Sequence, residues 1–232
     1  MKILRFILTQ FLVLLSFVSY GQNKHLTIGS KDIGICFGNS EKNSGMRFNF
    51  RDRNVYQING INITGISKSR ITNGLTFGLI ANYDSISNGI LLNGLVGQSY
   101  KANGIIISGL GHVSSELNGI GIGGLAIAGD NLNGLFISPI GVTYWNSEKI
   151  EKINGVTFGI IFGAVAKKLN GLSISIFQNY IDTTNGVMIA ALNKSENLHG
   201  FQFGILNYAG NNRKIFQWLP IMNCNLRRKP SR

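Results

Sequence analysis

The stretch with the most chemical promise is "LNGIGIGGLAIAGDNLNGLFISPI", residues 117–140, where Gly119, Gly121 and Gly124 satisfy the G-x-G-x-x-G spacing of a dinucleotide-binding turn. That turn needs a following helix, whose N-terminus receives the pyrophosphate, and an acidic residue about 20 positions on. Here another Asn-Gly follows fifteen residues later, and the positions twenty on are Pro139 and Ile140. The glycines therefore mark a period and do not cradle a phosphate.

The other reactive side chains do not assemble into a pattern. From Asp84 onward every acid falls in a variable segment, and no pair recurs at equivalent places to act as a general acid and base. His25, His112 and His199 are scattered, Cys36 and Cys224 lack metal-ligand spacing, and no Gly-x-Ser-x-Gly elbow occurs. The expectation is a chain that is not an enzyme, with no catalytic residue, no cofactor and no metal site.

What positions these residues is a repeat. Asn-Gly recurs at Asn59, Asn73, Asn88, Asn103, Asn118, Asn133, Asn154, Asn170 and Asn185, with His199-Gly200 as a tenth start; the spacings are 14, 15, 15, 15, 15, 21, 16, 15 and 14. Counting Asn as position one, positions three, five and eight are apolar in all ten units, and position six is small or polar. Apolar residues at three and five, many of them β-branched or aromatic, read as strand, and two glycines per unit argue against helix at about 2 kcal/mol per repeat. Small residues at six and seven predict a bend that turns position eight inward. Positions nine to fourteen are polar and variable, as expected of an outer turn.

An all-β repeat protein follows, as a β-solenoid of about ten 15-residue coils with terminal caps. Stacked Asn side chains would form a ladder, and the neighbouring Gly would take a positive φ at the corner. The alternative is an antiparallel β-meander closed into a barrel, with Asn-Gly as the hairpin turn. Alternation spans only positions three to five, an apolar band of roughly 7–14 Å where a membrane barrel needs about 25 Å, so the solenoid is preferred. A solenoid also predicts that Cys36 and Cys224 stay free, since ten coils separate the ends by roughly 45 Å and a disulfide needs Cα atoms within about 7 Å. The expected organisation is a signal peptide at 1–21, an N-terminal cap at 22–58, a repeat domain at 59–212 with an insertion at 141–153, and a C-terminal cap with a basic tail at 213–232.

"MKILRFILTQFLVLLSFVSYGQ" has the two basic residues, apolar run and small-residue cleavage site of a secretory leader, and the run is shorter than a membrane span. The expected location is exported: cell surface, outer membrane-associated or periplasmic. Six positive charges, Arg213, Lys214, Arg227, Arg228, Lys229 and Arg232, lie in the last twenty residues, and the whole chain carries +12. An exported basic tail suits anionic lipid or glycan better than nucleic acid, and no nucleic-acid partner is expected. Position four is expected to face outward, so Leu91, Ile106, Phe136 and Met188 form a candidate stripe for contact with a partner such as another envelope protein. Tyr83, Tyr100, Tyr144, Trp145 and Tyr180 fall in successive variable segments, where a stacked row would suit a polysaccharide.

The stretches "GLTFGLIANY", residues 74–83, and "GFQFGILNYAGN", residues 200–211, followed by "FQWLPIMN", resemble a surface-repeat family of exported bacterial proteins first described among spirochaete surface proteins. Its units run Gly, apolar, any residue, apolar, Gly, two apolars, then often Asn, a place filled by Asn207 and similarly by Asn193, while the central units depart from it. The resemblance covers residues 59 to about 223 and implies a surface or envelope address with no established enzymatic activity. The expected function is that of a structural or interaction module. A small outer-membrane barrel is the alternative, and a glycan-binding or glycan-cleaving β-helix a third reading.

Overall fold

The computed structural model describes residues 25–30, 32–144 and 149–226; the leader and the four cations from Arg227 onward lie outside them. The chain winds into a β-solenoid of about 11 turns, so the barrel alternative is excluded. Its one sheet runs in chain order through β1 (His25–Ser30), β2 (Ile33–Gly38), β3 (Lys42–Arg51), β4 (Val55–Asn93), β5 (Val96–Ser108), β6 (Gly111–Gly123) and β7 (Ala126–Ser138). It continues through β8 (Gly141–Thr143), β9 (Lys152–Gly159), β10 (Phe162–Ile174), β11 (Gln178–Ile189), β12 (Leu192–Ala209) and β13 (Trp218–Asn225). Every pairing between β2 and β12 is parallel, and Ile105 sits opposite Ile120. Like residues stack on like because each coil advances the chain by one strand spacing.

The Asn-Gly pair forms one corner of every coil. Asn73, Asn88, Asn103, Asn118, Asn133, Asn154, Asn170 and Asn185 each donate an Nδ2–H to the Oδ1 of the Asn one coil earlier, over 2.6–2.8 Å, and Asn59 donates to Ser44 Oγ at 3.2 Å. The glycine after each Asn has positive φ, +128° at Gly119, and a Cβ there would collide with the carbonyl oxygen of the glycine below. Asn bonds along the axis while Gly turns the chain where no side chain fits, which fixes the dipeptide at that corner.

The two ends close differently from the middle. β1 folds back antiparallel on β2, and β13 antiparallel on β12. β3 already follows the repeat register, with Ser44 opposite Asn59 and Gly45 opposite Gly60, so the N-terminal cap is narrower than the 22–58 expected. Ser stands where the later units carry Asn, which hid this unit from a search keyed on Asn-Gly. The insertion also shrinks, because β8 and β9 both pair with β7 and β10 and together make one coil. Residues 141–143 and 152–153 are thus part of the ladder, and Ile150 between them bridges Ala166 in parallel; Trp145 is outside the described residues. Cys36 is buried in β2, Cys224 is exposed in β13, and both are free, as the open solenoid requires.

The faces of the coil are the reverse of expectation. Leu91, Ile106, Phe136 and Met188, expected as an outward stripe, are all buried, the last two with no exposed surface. Positions three, five and eight, expected inside, face out: Ile90, Ile105, Ile107, Ile120 and Ile137 are exposed, and so are Leu95, Leu110, Leu125 and Ile140. Alternation divides a strand into two faces without saying which is buried. Here the narrow interior is filled by residues that complement their neighbours from coil to coil, so Gly121 leaves room for the Phe136 ring directly above it. Leu117, Ile127, Leu132, Ile153, Leu169 and Ile181 complete the central core.

Candidate functional site

Two kinds of arrangement stand out, a polar interior and an apolar exterior. At the N-terminal end Arg47 and Asp52 form a fully buried ion pair at 2.7 Å, and Arg47 also donates to Asn62 and Asn39. Further along, Asp84 accepts from Ser67 Oγ, Ser69 Oγ and the Ser69 N–H, all within 3.0 Å. The His112 ring lies 2.9 Å from Ser99 Oγ through Nε2 and beside Asn93 through Nδ1. At the other end Asn179, Asn193 and Asn207 form a second ladder, each step 2.9 Å, inside the coil. That interior ladder explains the Asn closing the repeat at Asn193 and Asn207: each side chain also bonds backbone carbonyls at the bend. These groups bond one another in the interior, while Arg47 Nε, Asn62 Nδ2 and Asp84 Oδ2 are buried there with no hydrogen-bond partner.

Asp84 and His112 give the fold opposite acid–base responses. Burial pushes the Asp84 carboxyl from 3.8 up to about 6, against the serine hydrogen bonds that pull it down, and burial drops the His112 imidazole from 6.5 to about 4. The stability Asp84 contributes by staying protonated is fully present below about pH 4 and is lost as pH rises through 6. The contribution of neutral His112 is present above 6.5 and is lost as pH falls toward 4. Asp84→Asn is therefore expected to remove the decline of about 3 kcal/mol between pH 4 and 6, with part of that gain at pH 8 offset because its amide N–H groups would lie where Oδ2 has no partner. Thermal unfolding of both proteins across that range checks it, and an unchanged profile would sink the assignment.

The exterior is divided in two. From the positive-φ glycine at position two through position nine, none of the ten coils between Asn59 and Asn207 carries Asp, Glu, Lys, Arg or His. The charged residues of these coils lie in the remaining segment, where Lys101–Glu116, Lys149–Asp182 and Lys167–Glu151 pair at 2.9, 2.5 and 2.5 Å. Tyr83, Tyr100 and Tyr144 are exposed there too, but Tyr83 faces Gln98 across the ladder and Tyr100 is out of its column, so no continuous aromatic row forms. Tyr180 is flanked by Lys149 and Lys194, with Lys194 also reaching the Tyr208 ring.

The uncharged half forms a wall of stacked apolar columns. The position-five column runs Leu26, Phe37, Phe48, Ile63 at one end and Ile137, Phe158, Ile174, Ile189, Phe203, Met222 at the other, with each neighbour in register. The position-three column starts at Ile28, Ile35 and Met46 and ends at Val187, Phe201 and Cys224. Both antiparallel caps thus prolong the wall. The corner beside it carries Leu79, Leu95, Leu110, Leu125, Ile160, Ile176 and Ile205, the last 77% exposed. A shallow apolar recess near the C-terminal end is lined by Ile176, Ile189, Ala191, Phe203, Ile205 and Ile221.

Sequence reasoning found the columns at positions three, five and eight but assigned them to the core, and it read position seven, which carries Leu79, Ile160, Ile176 and Ile205, as small. The signal that distinguishes the faces is the contents of position four, where Thr76, Gly121, Ser173 and Gln202 share a column with Phe136 and Met188. No family model, curated protein or solved structure matches the chain.

Proposed function

We propose that this chain is a non-enzymatic, exported envelope or cell-surface repeat protein that acts as an interaction module, with the apolar wall as its contact surface. The observation that carries this reading is the segregation of the exterior: a charge-free wall of Ile, Leu, Val and Phe on one side and the ion pairs on the other. Burying a fully exposed Ile or Leu is worth about 1.5–3 kcal/mol, and the wall residues such as Ile90 and Leu110, 42% and 43% exposed, retain roughly two-fifths of that each, so a wall of them drives association. The leader-like residues 1–21 support the address, and the closed interior supports a role without catalysis. The basic C-terminal residues add attraction to anionic partners such as lipid or glycan.

Expression of the full chain in a two-membrane bacterial host tests the reading by fractionation. The wild type is expected, with its leader removed, in the envelope fraction. Ile90→Lys/Ile105→Lys/Ile120→Lys, charged on three successive coils, is expected to be exported and to move to the soluble fraction. Retention of the wild type in the cytoplasm, or identical fractionation of the two proteins, would overturn it.

A further inference from the structure

We infer that the occupant of the apolar wall is the acyl–headgroup boundary of a lipid leaflet, on which the solenoid lies with its long axis in the membrane plane. The inference rests on the interaction-module reading above and names its partner.

The extent of the wall comes first. The two caps and the coils between them give a wall about 60 Å long at about 4.8 Å per strand, and positions three to eight give about 17 Å of contour round the bend at 3.3 Å per residue. That bent surface covers about 1,000 Å², beyond the 300–600 Å² of the largest apolar patch on an ordinary monomer. An area of that size would also meet the roughly 800 Å² per partner of a stable protein interface, so area alone does not choose between lipid and protein.

Charge and hydrogen bonding narrow the choice. Over the ten coils from Asn59 the wall presents no ionisable side chain between positions two and nine, which a hydrocarbon boundary demands because an isolated charge there has nothing to pair with; Arg51, opposite Ile66, and His25 bound this stretch at its N-terminal end. Its strands are paired on both sides from β2 to β12, so its backbone polar groups are satisfied within the ladder. The opposite wall keeps Lys101, Lys149, Lys167 and their acidic partners in water. The chain as a whole is +12, which favours an anionic leaflet.

Register decides between a fluid and a rigid partner. From Asn59 onward one apolar residue replaces another from coil to coil within the columns at positions three, five and eight, as in Ile90, Ile105, Ile120 and Leu135, with no polar or charged group to mark a place. A second copy of the chain, or any rigid partner, could slide by one coil, about 4.8 Å, and find nearly the same contacts, so the wall does not define a unique complex. Acyl chains need no register.

Cys224 supplies a native probe, since it is exposed at the end of the position-three column and Cys36 is buried. The purified full chain, labelled at Cys224 with an environment-sensitive fluorophore, is mixed with phosphatidylcholine vesicles and with vesicles containing 30% phosphatidylglycerol, then floated on a density gradient. The wild type is expected to float with both, more strongly with the anionic lipid at low salt, and the label is expected to shift to the blue and be quenched by lipid-borne quenchers. Ile105→Lys/Ile107→Lys/Ile120→Lys is expected to lose at least tenfold in binding, whereas Gln98→Glu/Asn131→Glu on the charged wall retains it. Flotation with an unshifted label would place lipid on another surface and overturn the inference. Failure to float, with a discrete dimer in sedimentation that the triple variant makes monomeric, would make a second copy the occupant and leave the interaction-module reading standing. A wild type that neither floats nor self-associates, and that the triple variant matches, would overturn both. The label readout comes from the wild type alone, so it holds even where a variant fails to fold.

Discussion

Replacing Gly119 with alanine is expected to cost about 4 kcal/mol, near the top of the range for a point substitution, and to split the unfolding transition. Three facts combine. Its φ is +128°, a conformation that an L side chain rarely adopts. A Cβ would strike the Gly104 carbonyl oxygen, which is backbone and cannot swing aside as a side chain could. The ladder also fixes Gly119 between Gly104 and Gly134, and the same glycine corner repeats above and below it. Relief would require opening the stack. Because each coil of a solenoid touches only its neighbours, a weak interface in the middle uncouples the two halves. Urea unfolding followed by circular dichroism should show two transitions where the wild type shows one. Asn131→Ala, an exposed site at position fourteen of the same unit, should stay within about 0.5 kcal/mol of wild type. A single transition for Gly119→Ala at wild-type stability would mean that the corner tolerates a side chain.

The same corner shows what the sequence makes legible. A period near fifteen with Asn-Gly at nine of ten starts fits coils that stack like residues, and the Asn ladder and glycine φ both follow from it. The free cysteines follow as well, through the length of an open solenoid. The assignment of inside and outside does not, because the usual guide is that invariant apolar columns are core. In this coil the guide fails for a geometric reason. A 15-residue winding encloses so little volume that its interior must be matched coil by coil, with Gly121 against Phe136 and Thr157 bonded to Ser173 at 2.8 Å. Variation therefore marks the inside, and constancy the outside. The candidate stripe at Leu91, Ile106, Phe136 and Met188 is interior packing, while the exposed apolar residues lie in the columns expected to be core. The missed first unit has a simpler cause: Ser44 joins the ladder as an acceptor and needs no amide.

The N-terminal coils allow the opposite test, a lesion at an end. Asp52→Ala is expected to cost about 3–5 kcal/mol, because it strands a fully buried guanidinium. Asp52 accepts from Arg47 at 2.7 Å, from Asn49 Nδ2 at 2.8 Å and from the Lys68 N–H at 3.4 Å, so it ties β3 to the first turn of β4. Asn62 and Asn39 would still accept from Arg47, but neither carries the charge that balances it. Nearest-neighbour coupling confines the damage, so hydrogen exchange should accelerate in β1 to β3 and the start of β4 while β6 and β7 stay protected. That pattern separates the two lesions: the central glycine divides the solenoid, and the terminal carboxylate frays it. Arg47→Met/Asp52→Leu removes both charges together and is expected to recover most of the loss, since a buried pair replaced by apolar groups is often neutral or stabilising. Were the double variant as unstable as Asp52→Ala alone, the cost would lie in the Asn49 and Lys68 hydrogen bonds and not in the unpaired charge of Arg47.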